Sequence, residues 1–243
     1  MIDGREIDLN LMTQSIIEKL CKRHLGIGAD GLIILTKSDV ADFKMLFYNA
    51  NGFPGSMCGN GGRCLASFAN EIGVANQVCA FEALDGMHFA SMLIDKTIRL
   101  KLNNVSGIQQ YPDGLFLDTG SPHFVVFRLH IDDIDVVQEG KKIRNESRFS
   151  EGTNVNFVEL CENGIKVRTY ERGVENETLS CGTGVTASAI ASYYSGLKKE
   201  TKIKVNTRGG NLEVEFDKPV GENFSNLFLS GPVVKVYEGE VEV

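Results

Sequence analysis

The chain alternates short apolar runs with polar turns, and most runs carry the two-residue period of strands. Residues 32–35, 43–48, 88–93 and 97–102 read as strands in the first half. Residues 115–117, 124–127, 155–160 and 165–170 continue the pattern, and 203–205, 212–216 and 233–237 close it. Helical spacing is rarer. Residues 11–23 place Ile16, Ile17 and Leu20 on one face and run into Gly26, a stop signal. Strands outnumber helices, which predicts an antiparallel-rich α+β protein. The turn signal Tyr111-Pro112-Asp113-Gly114 predicts a domain boundary near the middle.

The pattern echoes itself. Ser56-Met57-Cys58-Gly59-Asn60-Gly61-Gly62-Arg63-Cys64 and Leu179-Ser180-Cys181-Gly182-Thr183-Gly184-Val185 both hold Cys-Gly-x-Gly at the entry to a small-residue, apolar segment of helical character. Each follows a strand and a polar loop, and in this register Asn49 lies opposite Arg172. A repeated strand–loop–Cys–helix unit predicts two similar domains facing each other across a cleft. Residues 1–112 with 237–243 would carry Cys58, and residues 113–236 would carry Cys181.

A cysteine just before a helix meets unpaired N–H groups and a partial positive charge, which stabilise a thiolate. The neighbouring glycines let a ligand approach the backbone closely. A single such motif is more simply a filler cysteine at a helix start. A matched pair points to chemistry: a substrate carboxylate held between two helix N-termini, with one sulfur on each face of the α-carbon. One thiolate removes the α-proton and the other thiol delivers one to the far face, with no pyridoxal cofactor.

Composition narrows the setting. The 243 residues are 42% hydrophobic and 23% charged with net charge -7, which argues against nucleic acid as the main partner. Met1-Ile2-Asp3-Gly4-Arg5-Glu6 has no basic stretch followed by an apolar run, and no segment reaches membrane-span length, so a cytoplasmic, soluble protein away from membranes is expected. The six cysteines are sparse and form no C-x-x-C pair, so free thiols are expected and, with four histidines, no metal site. Cys21, Cys64, Cys79 and Cys161 read as buried fillers.

These motifs resemble the diaminopimelate epimerase family, and the resemblance runs nearly the whole length. It covers His24-Leu25-Gly26-Ile27-Gly28-Ala29-Asp30-Gly31, Tyr48-Asn49-Ala50-Asn51-Gly52 and the Cys58 motif. It continues through Gly120-Ser121-Pro122-His123, Thr153-Asn154-Val155-Asn156-Phe157, Tyr170-Glu171-Arg172-Gly173, the Cys181 motif and Gly231-Pro232. The resemblance implies conversion of L,L-diaminopimelate to the meso form on the route to lysine and peptidoglycan. It implies two pseudo-symmetric domains, each a curved, mostly antiparallel sheet around a central helix, with the C-terminal strand returning to the first domain and the active site between them. It also implies a homodimer that takes a small-molecule substrate and no cofactor. Cys58 and Cys181 would be the acid and base, assisted by His123 and Glu171. Backbone amides around Gly59, Asn60, Gly182 and Thr183 would hold the carboxylate at the reacting centre. Asn49, Asn154 and Arg172, with Glu171, would recognise the rest of the substrate, Arg172 as a bidentate carboxylate clamp.

The chain departs from the family at three places. Members usually open with Gly-x-Gly-Asn-Asp-Phe on the first strand, whereas Met1-Ile2-Asp3-Gly4-Arg5 resembles the segment just after it, so a truncated or misassigned start is one expectation. Ser121 stands where Asn usually precedes Pro-His, and Asn51-Gly52-Phe53-Pro54-Gly55 replaces a more polar stretch. Proline and hydroxyproline racemases are the nearest rival, although they usually carry His where this chain has Asn60. The sequence is also compatible with a thiol oxidoreductase that joins Cys58 to Cys181, and with an inactive remnant lacking the first strand.

Overall fold

The computed structural model describes residues 1–55 and 57–242; Ser56 of the first cysteine motif and Val243 lie outside the described residues. The chain divides into two compact units, Met1–Leu100 with Pro232–Val243, and Lys101–Gly231.

In the first unit the elements run β1 (Ile2–Asp3), α1 (Gln14–Cys21), β2 (Gly31–Thr36), β3 (Phe43–Asn49), α2 (Gly59–Glu71), β4 (Val78–Ala83), β5 (Gly86–Met92) and β6 (Ile98–Lys101). They lie side by side in chain order. The β1–β2 and β3–β4 pairs are parallel, and β2–β3, β4–β5 and β5–β6 are antiparallel. Leu32, Ile33, Ile34 and Leu35 are all buried because β2 is covered on both faces. Leu32 and Ile34 pack with Ile17 and Cys21 of α1. Ile33 faces α2, where a Cβ on Gly61 would stand 2.9 Å from its Cδ1. A Cβ on Gly62 would stand 3.1 Å from Met57 Sδ, 3.3 Å from Leu100 and 3.4 Å from Phe81, so these glycines let α2 sit close against the sheet.

The second unit holds β7 (Gln109–Tyr111), β8 (Gly114–Asp118), β9 (Pro122–Phe127), α3 (Val136–Arg144), β10 (Asn154–Cys161), β11 (Gly164–Glu171), β12 (Asn176–Thr178), α4 (Gly182–Tyr194), β13 (Lys202–Thr207), β14 (Gly210–Glu215) and β15 (Phe228–Gly231). The order across the sheet is β15-β14-β13-β11-β10-β9-β8-β7, with β12 paired to β11. Parallel pairs are β9–β10 and β11–β13, and the rest are antiparallel. Here α4 is the central helix: Gly182 and Gly184–Ser192 are buried, all round the helix rather than along one stripe. Its polar hydroxyls are absorbed internally, Thr186, Ser188 and Ser192 donating to the carbonyls of Gly182, Gly184 and Ser188 at 2.9, 2.7 and 2.7 Å. On the opposite face α3 covers Phe124, Val126, Val155, Phe157 and Tyr170.

The pairings make the duplication explicit. The sequence β1–β2–β3–α2–β4–β5–β6 and the sequence β9–β10–β11–α4–β13–β14–β15 use the same parallel and antiparallel neighbours in the same order. The fold is thus the expected α+β pair of pseudo-symmetric domains, with sheets more mixed than the antiparallel pattern suggested.

Three other expectations change. Tyr111-Pro112-Asp113-Gly114 is not a boundary: Tyr111 pairs with Gly114 as the turn of the β7–β8 hairpin inside the second unit. Residues 233–237 form no strand: the tail after Pro232, which has no N–H to give a ladder, packs into the first unit, where the Lys235 ammonium binds Glu71 and Glu238 at 2.6 and 2.7 Å. Helix α1 is shorter than residues 11–23, starting at Gln14 behind the Thr13 cap and ending at Cys21, five residues before Gly26. Among the described residues no helix is long and apolar enough to cross a membrane.

Candidate active site

Both cysteines of the repeated motif stand at the N-cap of a helix. Cys58 caps α2 in extended backbone (φ -94, ψ 130) and Cys181 caps α4 likewise (φ -115, ψ 113). Neither side chain caps its own helix, so the sulfurs do not consume the first-turn N–H groups. Those turns are Gly59-Asn60-Gly61 and Gly182-Thr183-Gly184, each at the positive end of its helix. Neither cysteine is joined in a disulfide; Cys58 is exposed and Cys181 half-buried. The remaining cysteines differ in kind. Burial pushes the Cys21 and Cys64 thiols up, and pushes Cys79 up to about 11, so these are packing groups. Cys161 is not buried as expected: it pairs with Gly164 where the β10–β11 hairpin runs out past the core.

Around Cys58 the backbone is held from two sides. Asp85 Oδ1 accepts the Met57 N–H at 3.2 Å and lies 3.2 Å from Nε2 of the buried His88. Behind the first turn lies Arg63, 5% exposed, donating to Gly59 O at 3.4 Å and to Asn60 Oδ1 at 2.8 Å. Burial lowers its pKa, and its Nε finds no hydrogen-bond partner among the described residues. Asn49, at the end of β3, spends its amide on the loop, donating to Phe53 O at 3.3 Å and to Pro54 O at 3.5 Å.

The second unit gathers more of the expected residues. Strand alternation sets Val125 and Val158 against α4, and the same parity brings His123, Asn154, Asn156 and Thr169 to that face. His123 is fully buried, with Asn156 Nδ2 3.0 Å from Nδ1 and Thr183 Oγ1 and Ser121 Oγ at 2.9 and 3.0 Å from Nε2. Thr183 Oγ1 in turn lies 3.4 Å from Cys181 Sγ, so His123 reaches the sulfur through one hydroxyl. Asn154 donates to Pro122 O at 2.9 Å and accepts the Arg172 N–H at 2.9 Å, tying together the ends of β9, β10 and β11. The Arg172 guanidinium donates to Glu151 O at 3.1 Å, and Glu171 accepts the Thr178 hydroxyl at 2.8 Å. Sequence reasoning did not single out Asn156, Arg63 or Thr119, whose hydroxyl donates to Thr183 O at 2.9 Å. Asn156 stood within the stretch that resembles the family, without a role, as a polar residue in an apolar strand. Among the described residues no cluster of His, Cys, Asp and Glu is arranged to hold a metal ion.

Burial, the largest cause, drives the His123 pKa from 6.5 down to about 3, aided by the Arg172 charge. The native ring therefore stays neutral while the unfolded ring takes up a proton below pH 6.5. The resulting stability is present above pH 6.5 and lost as pH falls toward 3, at about 1.4 kcal/mol per pH unit. Urea unfolding at pH 6 and pH 5 should show wild type losing about 1 kcal/mol more than His123→Gln over that interval; equal losses would mean the ring is protonated in the fold.

The diaminopimelate epimerase family profile matches residues 2–105 and 115–236. The chain belongs to that family. A diaminopimelate epimerase from Flavobacterium psychrophilum is 44% identical over 242 residues, covering 98% of this chain and 93% of that protein. One from Aquifex aeolicus is 41% identical, covering 94% and 85%. Among solved structures, a PhzF-family phenazine biosynthesis protein from Bacillus anthracis superposes with a TM-score of 0.78 at 16% identity, over 100% of this chain and 92% of its own. A hydroxyproline epimerase from Agrobacterium vitis, with trans-4-hydroxy-L-proline bound, gives 0.62 at 13% identity, over 88% and 76%. At such identities the likeness extends to the fold that diaminopimelate epimerases share with these enzymes.

Proposed function

We propose that this chain is a cofactor-independent isomerase that interconverts L,L- and meso-diaminopimelate, feeding lysine and peptidoglycan synthesis in the cytoplasm, and that it works as a homodimer. The observation that carries the reading is the duplicated Cys-Gly-x-Gly junction, with Cys58 and Cys181 at equivalent N-caps of two topologically equivalent helices. The reading requires both helix starts to meet one α-carboxylate. First-turn N–H groups of Gly59-Asn60 and Gly182-Thr183 then hold that carboxylate and stabilise the negative charge that grows as the α-proton leaves. One cysteine, as thiolate, takes the proton; the other, as thiol, gives one to the opposite face; the next turnover in the reverse direction exchanges their roles. His123 and Glu171 assist from the Cys181 side, while Asn49, Asn154 and Arg172 bind the distal amino-acid end.

Proton NMR in D2O with L,L-diaminopimelate tests it. Loss of the α-proton signal with appearance of the meso isomer is the expected result. Absence of exchange with diaminopimelate, set against exchange with L-proline or hydroxyproline run in parallel, would overturn the substrate assignment.

A further inference from the structure

The polar cluster under α4 has a direction of hydrogen bonding that its neighbours dictate. The Phe124 carbonyl can only accept, so the Asn156 atom 3.4 Å from it is the amide nitrogen. The other end, Oδ1, accepts the Thr169 hydroxyl at 3.0 Å. The second amide hydrogen points at His123 Nδ1, 3.0 Å away, which must therefore be the accepting nitrogen of a neutral ring. The ring proton is on Nε2, facing the Thr183 and Ser121 hydroxyls.

Ser121 is oriented in the same way. Asn154 is fixed by the Arg172 N–H and the Pro122 carbonyl, and it donates to Ser121 Oγ at 3.3 Å. Ser121 then gives its own hydrogen to Thr183 Oγ1, 3.2 Å away. With the His123 N–H and the Ser121 O–H both arriving, the Thr183 oxygen has only its hydrogen left to offer, and Cys181 Sγ lies 3.4 Å away. Packing holds the parts in register: a Cβ on Gly184 would stand 2.4 Å from Asn156 Oδ1 and 3.2 Å from His123 Cε1, so only glycine lets α4 settle onto the cluster. The charges nearby are Arg172, which disfavours a protonated ring, and Glu171, held by Thr178; α4 brings no ionisable side chain in residues 182–188.

We propose that Asn156 fixes the His123 tautomer and that the fixed ring, with Ser121, turns the Thr183 hydroxyl toward Cys181, so that Asn156, Ser121 and Thr183 are positioning residues favouring the thiolate at that cysteine. A hydrogen bond donated to sulfur stabilises the thiolate and not the thiol. The inference deepens the epimerase reading, in which one sulfur must begin the reaction as a base. It also gives Ser121 a role: its hydroxyl accepts from Asn154 and donates to Thr183, as this circuit requires.

The test reads the thiol and the ring directly, without substrate, so its failure is separate from failure of the diaminopimelate assignment. In the full-length protein, iodoacetamide alkylation of the Cys181 peptide is followed against pH by mass spectrometry, with the Cys58 peptide as internal reference. Thr183→Val should raise the Cys181 midpoint by about one pH unit and leave Cys58 unmoved, whereas Thr183→Ser should retain the wild-type midpoint. Long-range proton–nitrogen NMR of the His123 ring should find the proton on Nε2 in wild type and on Nδ1 in Asn156→Asp, where a carboxylate can only accept. An unmoved midpoint in Thr183→Val, or a wild-type ring protonated on Nδ1, would overturn the proposal.

Discussion

Cys58→Ala and Cys181→Ala should each slow interconversion of diaminopimelate stereoisomers by about 10²- to 10⁴-fold, the range set by losing one positioned acid or base. The diagnostic feature is what survives. Inverting a centre needs a proton taken from one face and another delivered to the opposite face, but exchanging the α-proton with solvent needs only one base. Each variant keeps one sulfur at its helix start, so each should still wash the α-proton out of one stereoisomer in D2O. If the two-cysteine reading holds, the surviving base works from opposite faces in the two variants, which should then have opposite stereoisomer preferences. Polarimetry and proton NMR on the same samples separate the two rates. A variant that interconverts at the wild-type rate would remove its cysteine from the mechanism, and exchange with the same stereoisomer in both variants would place the two sulfurs on one face.

The largest loss of stability is expected away from the cysteines, at Glu177. Its carboxylate receives Arg168 Nε and Nη2 at 2.7 and 2.8 Å, and the two side chains are 10% and 5% exposed. Arg168 also donates Nη1 to the carbonyls of Ile131 and Ile134, so one guanidinium fixes the connection between β9 and α3. The Glu177 contact raises the Arg168 pKa, as a bidentate carboxylate should. Glu177→Ala strips a buried cation of its hydrogen-bonded carboxylate and should lower unfolding free energy by about 3–5 kcal/mol. Arg168→Met with Glu177→Leu removes both charges together and should recover most of that loss. Urea melts at neutral pH check both. A loss below about 1 kcal/mol in Glu177→Ala would mean solvent reaches the guanidinium.

The sequence revealed the two cysteines, their helices and most strands because each rests on a local signal. Strands β9 and β10 stand out as short runs rich in Val and Phe where both faces are covered, and Cys-Gly-x-Gly marks a helix start irrespective of distant contacts. What was illegible depends on packing. Helix α3 carries Gly140 in its middle, a poor helix former, because Tyr170 lies so close that a Cβ would stand 2.3 Å from it. Strand β4, Val-Cys-Ala-Phe-Glu-Ala, alternates in burial, but its alanines blur the contrast that would announce it. The tail read as a strand is apolar enough, yet after Pro232 it finds no partner and lies as an irregular segment. At the site, the residue types around Cys181 were legible but the Asn156–His123–Thr183 order was not, since it joins strands and a helix far apart in sequence.

The return of residues 232–243 to the first unit has a consequence for how the chain is born. Residues 101–231 are contiguous, so that half needs no segment from elsewhere in the chain. The half that is synthesised first lacks the Lys235 clamp on Glu71 until the last stretch of chain emerges. The Cys58 half is thus discontinuous in sequence, and one of its closing contacts depends on a segment translated after the whole of the Cys181 half.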